Sequence, residues 1–180
     1  IGYGAVGRLV ARMLRGFGAK VLVYDPFAVI DPADGVVQEN DLHRLLAASR
    51  IVSIHARLTK ETRGMIRAAQ IAAMPHGSVL VNAARGALLD YDAACDALES
   101  GQLAAAAFDV FPEEPLPAQS RLRTAPNVVM TPHLAGATKE TALRAARIAA
   151  SQIAAYLAGQ PLPFRIGAYT PTNNPTGSAM

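Results

Sequence analysis

Three stretches of this chain carry side chains of the types needed for proton transfer and anion binding, and each stretch begins with a short apolar run. VLVNAARG (79–86) places Arg85 just beyond such a run. AAAFDVFPEEP (105–115) places Asp109 at the end of a second run and Glu114 in the segment after it. VVMTPH (128–133) places His133 beyond a third. Histidine changes charge near neutral pH, so it can give and take a proton. Arginine offers carboxylates and phosphates a planar fork of donors. A lone histidine after a proline is ordinarily a polar loop residue. His133 acquires a catalytic reading only if the fold brings Arg85 and Glu114 to the same edge.

The elements that must do this are legible as an alternation. VLVY (21–24), IVSI (51–54), VLV (79–81) and VVM (128–130) are short apolar runs bounded by turn residues, and they read as buried strands. The stretch from Leu103 to Phe108 follows Gly101 and is short, which favours a fifth strand. Helical patterns lie between them, in LVARML (9–14), DLHRLL (41–46), IRAAQIAAM (66–74) and DYDAACDAL (90–98). A last long helix is expected from about Thr138 to Ala158, ended by Gly159 and Pro161. Strands alternating with helices predict an α/β class, a doubly wound parallel sheet of the Rossmann type. In such sheets ligands bind beyond the carboxyl ends of the strands, where Arg85, Glu114 and His133 are placed. One domain is expected over residues 1–160, including the long helix. The Pro-, Gly- and Asn-rich segment 161–180 is expected to be an extended or mobile tail.

GYGAVG (2–7) has the pattern G-x-G-x-x-G. Alone the pattern is weak, but here it follows a strand end and opens a helix. A second strand ends at Asp25, about twenty residues on, as dinucleotide-binding folds require. Gly2 permits a tight turn, Gly4 lets backbone approach a pyrophosphate, and Gly7 allows the helix to pack closely on a strand. The helix N-terminus offers free N–H groups to phosphates. Asp25 is expected to accept from both hydroxyls of an adenine ribose and to repel a 2′-phosphate, which favours NAD over NADP.

Bulk properties exclude other classes. The chain has 180 residues, 51% of them hydrophobic, enough for one sizeable core. Its net charge of +3 comes from scattered arginines and lysines, with no basic run, so no nucleic-acid partner is expected. No apolar run reaches membrane-spanning length, and no signal peptide is visible. A single cysteine, Cys95, lies in a helical stretch; a packing role and a reducing, cytoplasmic compartment are expected. No cluster has metal-ligand spacing, so no metal is expected. His43 and His76 are expected at the surface, and His55 as a positioning residue near the cofactor edge.

The motifs together resemble the NAD-binding domain of the D-isomer-specific 2-hydroxyacid dehydrogenases. The matching pieces are GYGAVG (2–7), YDP (24–26), VSIH (52–55), LTKETRG (58–64), VNAARG (81–86), DVFPEEPL (109–116) and TPHLAG (131–136). EEPLP (113–117) with TPH (131–133) resembles most the phosphoglycerate dehydrogenase and glyoxylate/hydroxypyruvate reductase branch. The resemblance implies hydride transfer between NAD and a small 2-hydroxy or 2-keto acid. It implies that Arg85 clamps the substrate carboxylate, that His133 is the acid/base, and that Glu114 holds the imidazole. Asp109 is implied to face the nicotinamide. The implied cofactor contacts are Gly2, Gly4, Ala5, Val6, Gly7, Asp25, Thr59, Ala83, Ala84, Arg85, Asp109, His133 and Gly136. A homodimer formed through nucleotide-binding domains is implied as well.

Arg57 stands where the family often has Pro, Ala84 where Ser or Thr is usual, and Ala135 where Gly is common. None removes a catalytic group, although the loop beside the adenosine is expected to differ. In the family the substrate domain is built largely from chain preceding the glycine motif. Residues 1–180 alone are therefore expected to bind NAD without normal turnover, and feedback control through a C-terminal regulatory domain is not expected. Two other readings stay open: an NAD-sensing binding module of the corepressor type on the same fold, and a dehydrogenase for another small anion such as phosphite.

Overall fold

The structure, a computed structural model, describes residues 1–162. It divides into two compact units, Ile1–Gly136 and a second beginning at Ala137. The expected tail falls almost wholly outside the described residues.

In the first unit the elements run α1 (Ala5–Gly16), β1 (Leu22–Val23), β2 (Val37–Gln38), α2 (Leu42–Ala47), β3 (Ile51–Ile54), α3 (Ala68–Ala72), β4 (Ser78–Asn82), α4 (Tyr91–Glu99), β5 (Leu103–Phe108) and β6 (Val128–Met130). All strand pairs are parallel: β1 with β2, and β3-β4-β5-β6 in that order. Ile1 and Gly2 join the two groups. The Gly2 N–H donates to the Tyr24 carbonyl at 2.9 Å, and the His55 N–H donates to the Ile1 carbonyl at 2.7 Å. The hydrogen-bonded order is thus β2-β1-(Ile1–Gly2)-β3-β4-β5-β6. From the Ile1–Gly2 stretch the sheet grows in both directions, which makes this the switch point where such folds bind dinucleotides.

Burial follows the pleat. In β4, Ser78, Leu80 and Asn82 are buried while Val79 and Val81 are half-buried. Leu46, Ile54, Ile66, Leu80, Leu88 and Phe108 are essentially inaccessible to solvent. Each such apolar side chain contributes roughly 1.5–3 kcal/mol through removal from water. Caps set the helix starts. Asp41 accepts from the His43 N–H at 2.8 Å before α2, and Asp90 from the Ala93 N–H at 3.1 Å before α4.

Strands β3 and β6 match the expected runs, β5 matches as well, and β4 extends its run by one residue at each end. Three differences have physical causes. β1 keeps only Leu22–Val23 of the four expected residues, and the Tyr24 carbonyl bonds instead to Gly2. β2 was not expected, because Val37 and Gln38 are both exposed and show no alternation. α3 is shorter than expected because Ile66 lies in a parallel bridge with Leu89. Its N–H donates to the Leu88 carbonyl, and its carbonyl accepts from Asp90.

The second unit contains α5 (Lys139–Leu157), within the expected bounds. Thr138 starts it, its hydroxyl accepting from the Thr141 N–H at 3.1 Å.

The glycine turn depends on contacts that no side chain could share. Gly2 has φ 88°, and a Cβ there would lie 2.5 Å from the Ala56 nitrogen. A Cβ on Gly7 would lie 2.1 Å from the Gly2 carbonyl oxygen. Gly7→Ala should therefore destabilise the protein by about 1–3 kcal/mol. Gly16→Ala, whose Cβ meets nothing within 4 Å, should be neutral or stabilise by up to ~1 kcal/mol. Denaturant unfolding of both variants checks this, and equal effects would contradict the close approach.

Candidate active site

The glycine turn delivers the start of α1 to the carboxyl edge. The first helical bond runs from the Arg8 N–H to the Gly4 carbonyl at 3.0 Å, and no side chain caps the helix. The N–H groups of the first turn are left for a ligand, at the positive end of the helix dipole. A Cβ on Gly4 would meet nothing within 4 Å. The space in front of that glycine is open to a ligand's approach, as a dinucleotide phosphate requires. Beside it lies a cleft of about 340 Å³, lined by Val6, by His55, Ala56 and Arg57 after β3, and by Ala83, Ala84 and Arg85 after β4. Four of the expected contacts, Val6, Ala83, Ala84 and Arg85, thus share one cavity with Arg57.

Other expected residues lie elsewhere. The backbone around Thr59 is tied into a turn, its N–H donating to the Thr62 hydroxyl at 2.8 Å, while that hydroxyl donates to the Arg57 carbonyl at 2.7 Å. Asp25 does not line the cleft. Its Oδ2 accepts from the Tyr3 N–H at 2.7 Å, and its Oδ1 from the Phe27 and Ala28 N–H groups at 3.0 and 3.1 Å. These bonds use three of the roughly four acceptor positions of a carboxylate, so one position remains for a ribose hydroxyl without rearrangement. Gly136 is exposed, just past the loop that carries His133. The residues at the helix start and cleft fit a dinucleotide; Asp25 fits it with one bond rather than two.

The end of the edge that carries Glu114 and His133 is assembled by strand register. Asn82 of β4 pairs with Phe108 of β5, and Phe108 pairs with Met130 of β6. The next residues, Asp109 and Thr131, therefore emerge side by side. The Asp109 carboxylate, 7% exposed, accepts from the Thr131 hydroxyl, from the Leu134 N–H at 2.8 Å and from the Ala135 N–H at 2.9 Å. It grips the chain on both sides of His133. His133 itself has φ 56°, unusual for a residue with a side chain, and its N–H donates to the Thr131 carbonyl at 2.9 Å. Its Nδ1 lies 2.8 Å from Glu114 Oε2, while Glu114 Oε1 accepts from the Phe111 N–H at 2.9 Å. With Nδ1 engaged, Nε2 is the nitrogen left for a substrate.

The His133 hydrogen bond, and then the Phe111 N–H, hold the Glu114 carboxyl below its usual range. Burial alone pushes Asp109 up, but the Thr131 hydroxyl, the Ala135 and Leu134 N–H groups and the His133 ring together bring it below the usual carboxylate range. Arg85 is exposed, and one guanidinium nitrogen donates to the Ala84 carbonyl at 2.6 Å. Among the described residues it forms no ion pair, so its charge is available to an anion.

Two buried residues missed by sequence reasoning hold these loops. Asn82 Nδ2 donates to the Arg85 carbonyl and to the Tyr91 hydroxyl, both at 3.1 Å, and Asn82 Oδ1 accepts from the Ala84 N–H at 3.1 Å. The Tyr91 hydroxyl donates to the Val110 carbonyl. Their partners are backbone groups that no spacing reveals. Gly86 was missed too: a Cβ there would lie 1.9 Å from the Phe111 carbonyl oxygen. His55 is half-buried, with Nε2 2.9 Å from the Ser53 hydroxyl; His43 and His76 are exposed, and Cys95 is buried.

Residues 1–135 match the family model described as "D-isomer specific 2-hydroxyacid dehydrogenase, NAD binding domain". The chain is 38% identical over 177 residues to a D-3-phosphoglycerate dehydrogenase of Archaeoglobus fulgidus, covering 98% of this chain and 33% of that protein. It is 39% identical over 163 residues to a glycerate dehydrogenase of Methylorubrum extorquens, covering 89% of this chain and 50% of the relative. The solved D-mandelate dehydrogenase of Rhodotorula graminis in its apo form superposes with a TM-score of 0.87 at 34% identity, over 94% of this chain and 50% of that one. The chain thus spans a third to a half of the length of these relatives.

The Asp109 geometry makes a signed prediction. Its carboxyl is depressed in the folded protein, so its contribution is fully present above the unfolded pKa, about 4. That contribution is lost as pH falls through the lower folded value. Asp109→Asn should cost about 1–3 kcal/mol at pH 7, where a buried acceptor loses its charge and meets an N–H with an amide. Denaturant unfolding should show that gap shrinking at pH 3. A gap that is constant with pH contradicts the charged clamp.

Proposed function

Because the chain belongs to the D-isomer-specific 2-hydroxyacid dehydrogenase family, we propose that the protein interconverts a small D-2-hydroxy acid and its 2-keto acid using NAD. When bound, the nicotinamide supplies or accepts the hydride at substrate C2. The chain's own residues handle the carboxylate and the proton. Arg85 pairs with the substrate carboxylate through its fork of donors and draws electron density from the keto group. His133 gives the proton at Nε2 to the carbonyl oxygen during reduction and takes it from the hydroxyl during oxidation. Glu114, 2.8 Å from Nδ1, fixes the ring's orientation.

For the cofactor, the first turn of α1 with Gly2, Gly4, Ala5, Val6 and Gly7 receives the pyrophosphate. Asp25 takes a ribose hydroxyl, and Thr59, Ala83, Ala84 and Gly136 border the dinucleotide. Asp109 serves the nicotinamide end by holding the loop of His133. The observation that carries the reading is the 2.8 Å Glu114–His133 pair, seated on the Asp109 clamp at the same sheet edge as the open helix start. The reading includes a homodimer, supported by the exposed apolar stripe Leu9, Met13 and Phe17 on and just beyond α1. It also includes a cytoplasmic site, supported by one buried, unpaired cysteine.

His133→Ala in the full-length protein tests the assignment. Loss of the acid/base should lower the rate by about 10²–10⁴, with NADH affinity changed little. An unchanged rate removes His133 from the mechanism.

A further inference from the structure

Arg85 and Glu114 stand on different loops, one after β4 and one after β5, yet both loops end on the same buried pair. Asn82 is inaccessible to solvent and Tyr91 is 7% exposed. Asn82 Nδ2 divides its two donor positions between the Arg85 carbonyl and the Tyr91 oxygen. The Tyr91 hydroxyl passes its own hydrogen to the Val110 carbonyl. Val110 follows Asp109 and precedes Phe111, whose N–H holds Glu114 Oε1 at 2.9 Å. The Asp109 N–H donates to the Asn82 main-chain carbonyl at 3.0 Å, which closes the circuit on the backbone side.

We propose that the Asn82–Tyr91 pair is a positioning device that couples the substrate-clamping arginine loop to the Glu114–His133 pair, with the Tyr91 hydroxyl as the link. Every donor in the circuit has an acceptor, and no buried side-chain nitrogen or oxygen among the described residues lacks a partner. A satisfied buried network of this kind admits one arrangement, because any displacement leaves a polar atom unpaired. The Tyr91 ring is itself fixed, packing edge-on against Phe108 at 5.0 Å and tilted against Phe111 at 6.4 Å between centroids. The hydroxyl also feels the site: burial, and further the Glu114 charge, raise its pKa against the lowering effect of Asn82. The two loops therefore move together or not at all, which keeps the carboxylate clamp and the proton donor in mutual register.

The proposal rests on the dehydrogenase reading for its catalytic meaning, so the test has two arms. Tyr91→Phe in the full-length protein removes only the hydroxyl and nearly conserves volume. Cys95→Ala, buried on the same helix, is the packing control. In the first arm, amide hydrogen exchange should quicken at least severalfold in both 83–87 and 109–114 with Tyr91→Phe, and not in 58–63, whose turn is bonded within itself. Cys95→Ala should leave that pattern as in the wild type. In the second arm, Tyr91→Phe should lower kcat for the 2-keto acid about tenfold, the scale of a small misplacement of reacting groups. It should also alter the pH profile of kcat, whereas Cys95→Ala should do neither. Unchanged exchange, a response in one loop only, or the same response from Cys95→Ala overturns the coupling. Quickened exchange in both loops of a protein that reduces no 2-keto acid upholds the coupling and overturns the dehydrogenase reading instead.

Discussion

The Asp109 carboxylate fixes where His133 can stand. It accepts from residues 131, 134 and 135, so the histidine is suspended between two held ends of a short loop. That grip is needed because His133 occupies the left-handed region, φ 56°, at a cost on the order of 1–3 kcal/mol. Bonds from charged acceptors to N–H and O–H donors are individually of comparable size, so three of them offset the strain. The aim of the imidazole follows from this loop, and the bond from Glu114 completes it.

The carboxylate is where it is because of the sheet. β5 is buried at Leu103, Ala106 and Phe108, and the apolar cost of misplacing these fixes its register against β4 and β6. A slip of one residue would turn Asp109 away from Thr131 and bring a charge to the wrong face. The same register places Asn82 beside Phe108, from where it reaches the Arg85 loop. The geometry of the Glu114–His133 pair at the edge is thus inherited from hydrophobic burial in the strands. Gly86 is part of the same economy of space, because the Arg85 loop touches the Phe111 carbonyl so closely that no Cβ fits between them.

The strands β3, β4, β5 and β6 were legible because each is an apolar run bounded by turn residues, and the long helix because its Thr138 cap and Gly159 stop are strong local features. The convergence of Arg85, Glu114 and His133 on one edge was legible because parallel strands send their carboxyl ends the same way. β2 was not, since two exposed residues carry no pattern. Nor was the late start of α3, since Ile66 is taken by a partner, Leu89, far along the chain. The inward engagement of Asp25 had a visible cue in the Asp25–Pro26 pair, a turn-initiating dipeptide whose acid tends to bond its own following backbone. Asn82 and Tyr91 had no cue, because their partners are the carbonyls of Arg85 and Val110.

The activity proposed for this edge is the reduction of 2-keto acids with NADH. Full-length protein with NADH and a panel of glyoxylate, hydroxypyruvate, pyruvate and 2-ketoglutarate, followed by the loss of reduced-cofactor absorbance, tests it directly. Turnover of at least one of the four is expected, and the preferred one begins to define the substrate. Tight NADH binding with no turnover of any of them would contradict the proposed activity, and would favour a binding module or a different anion on the same fold.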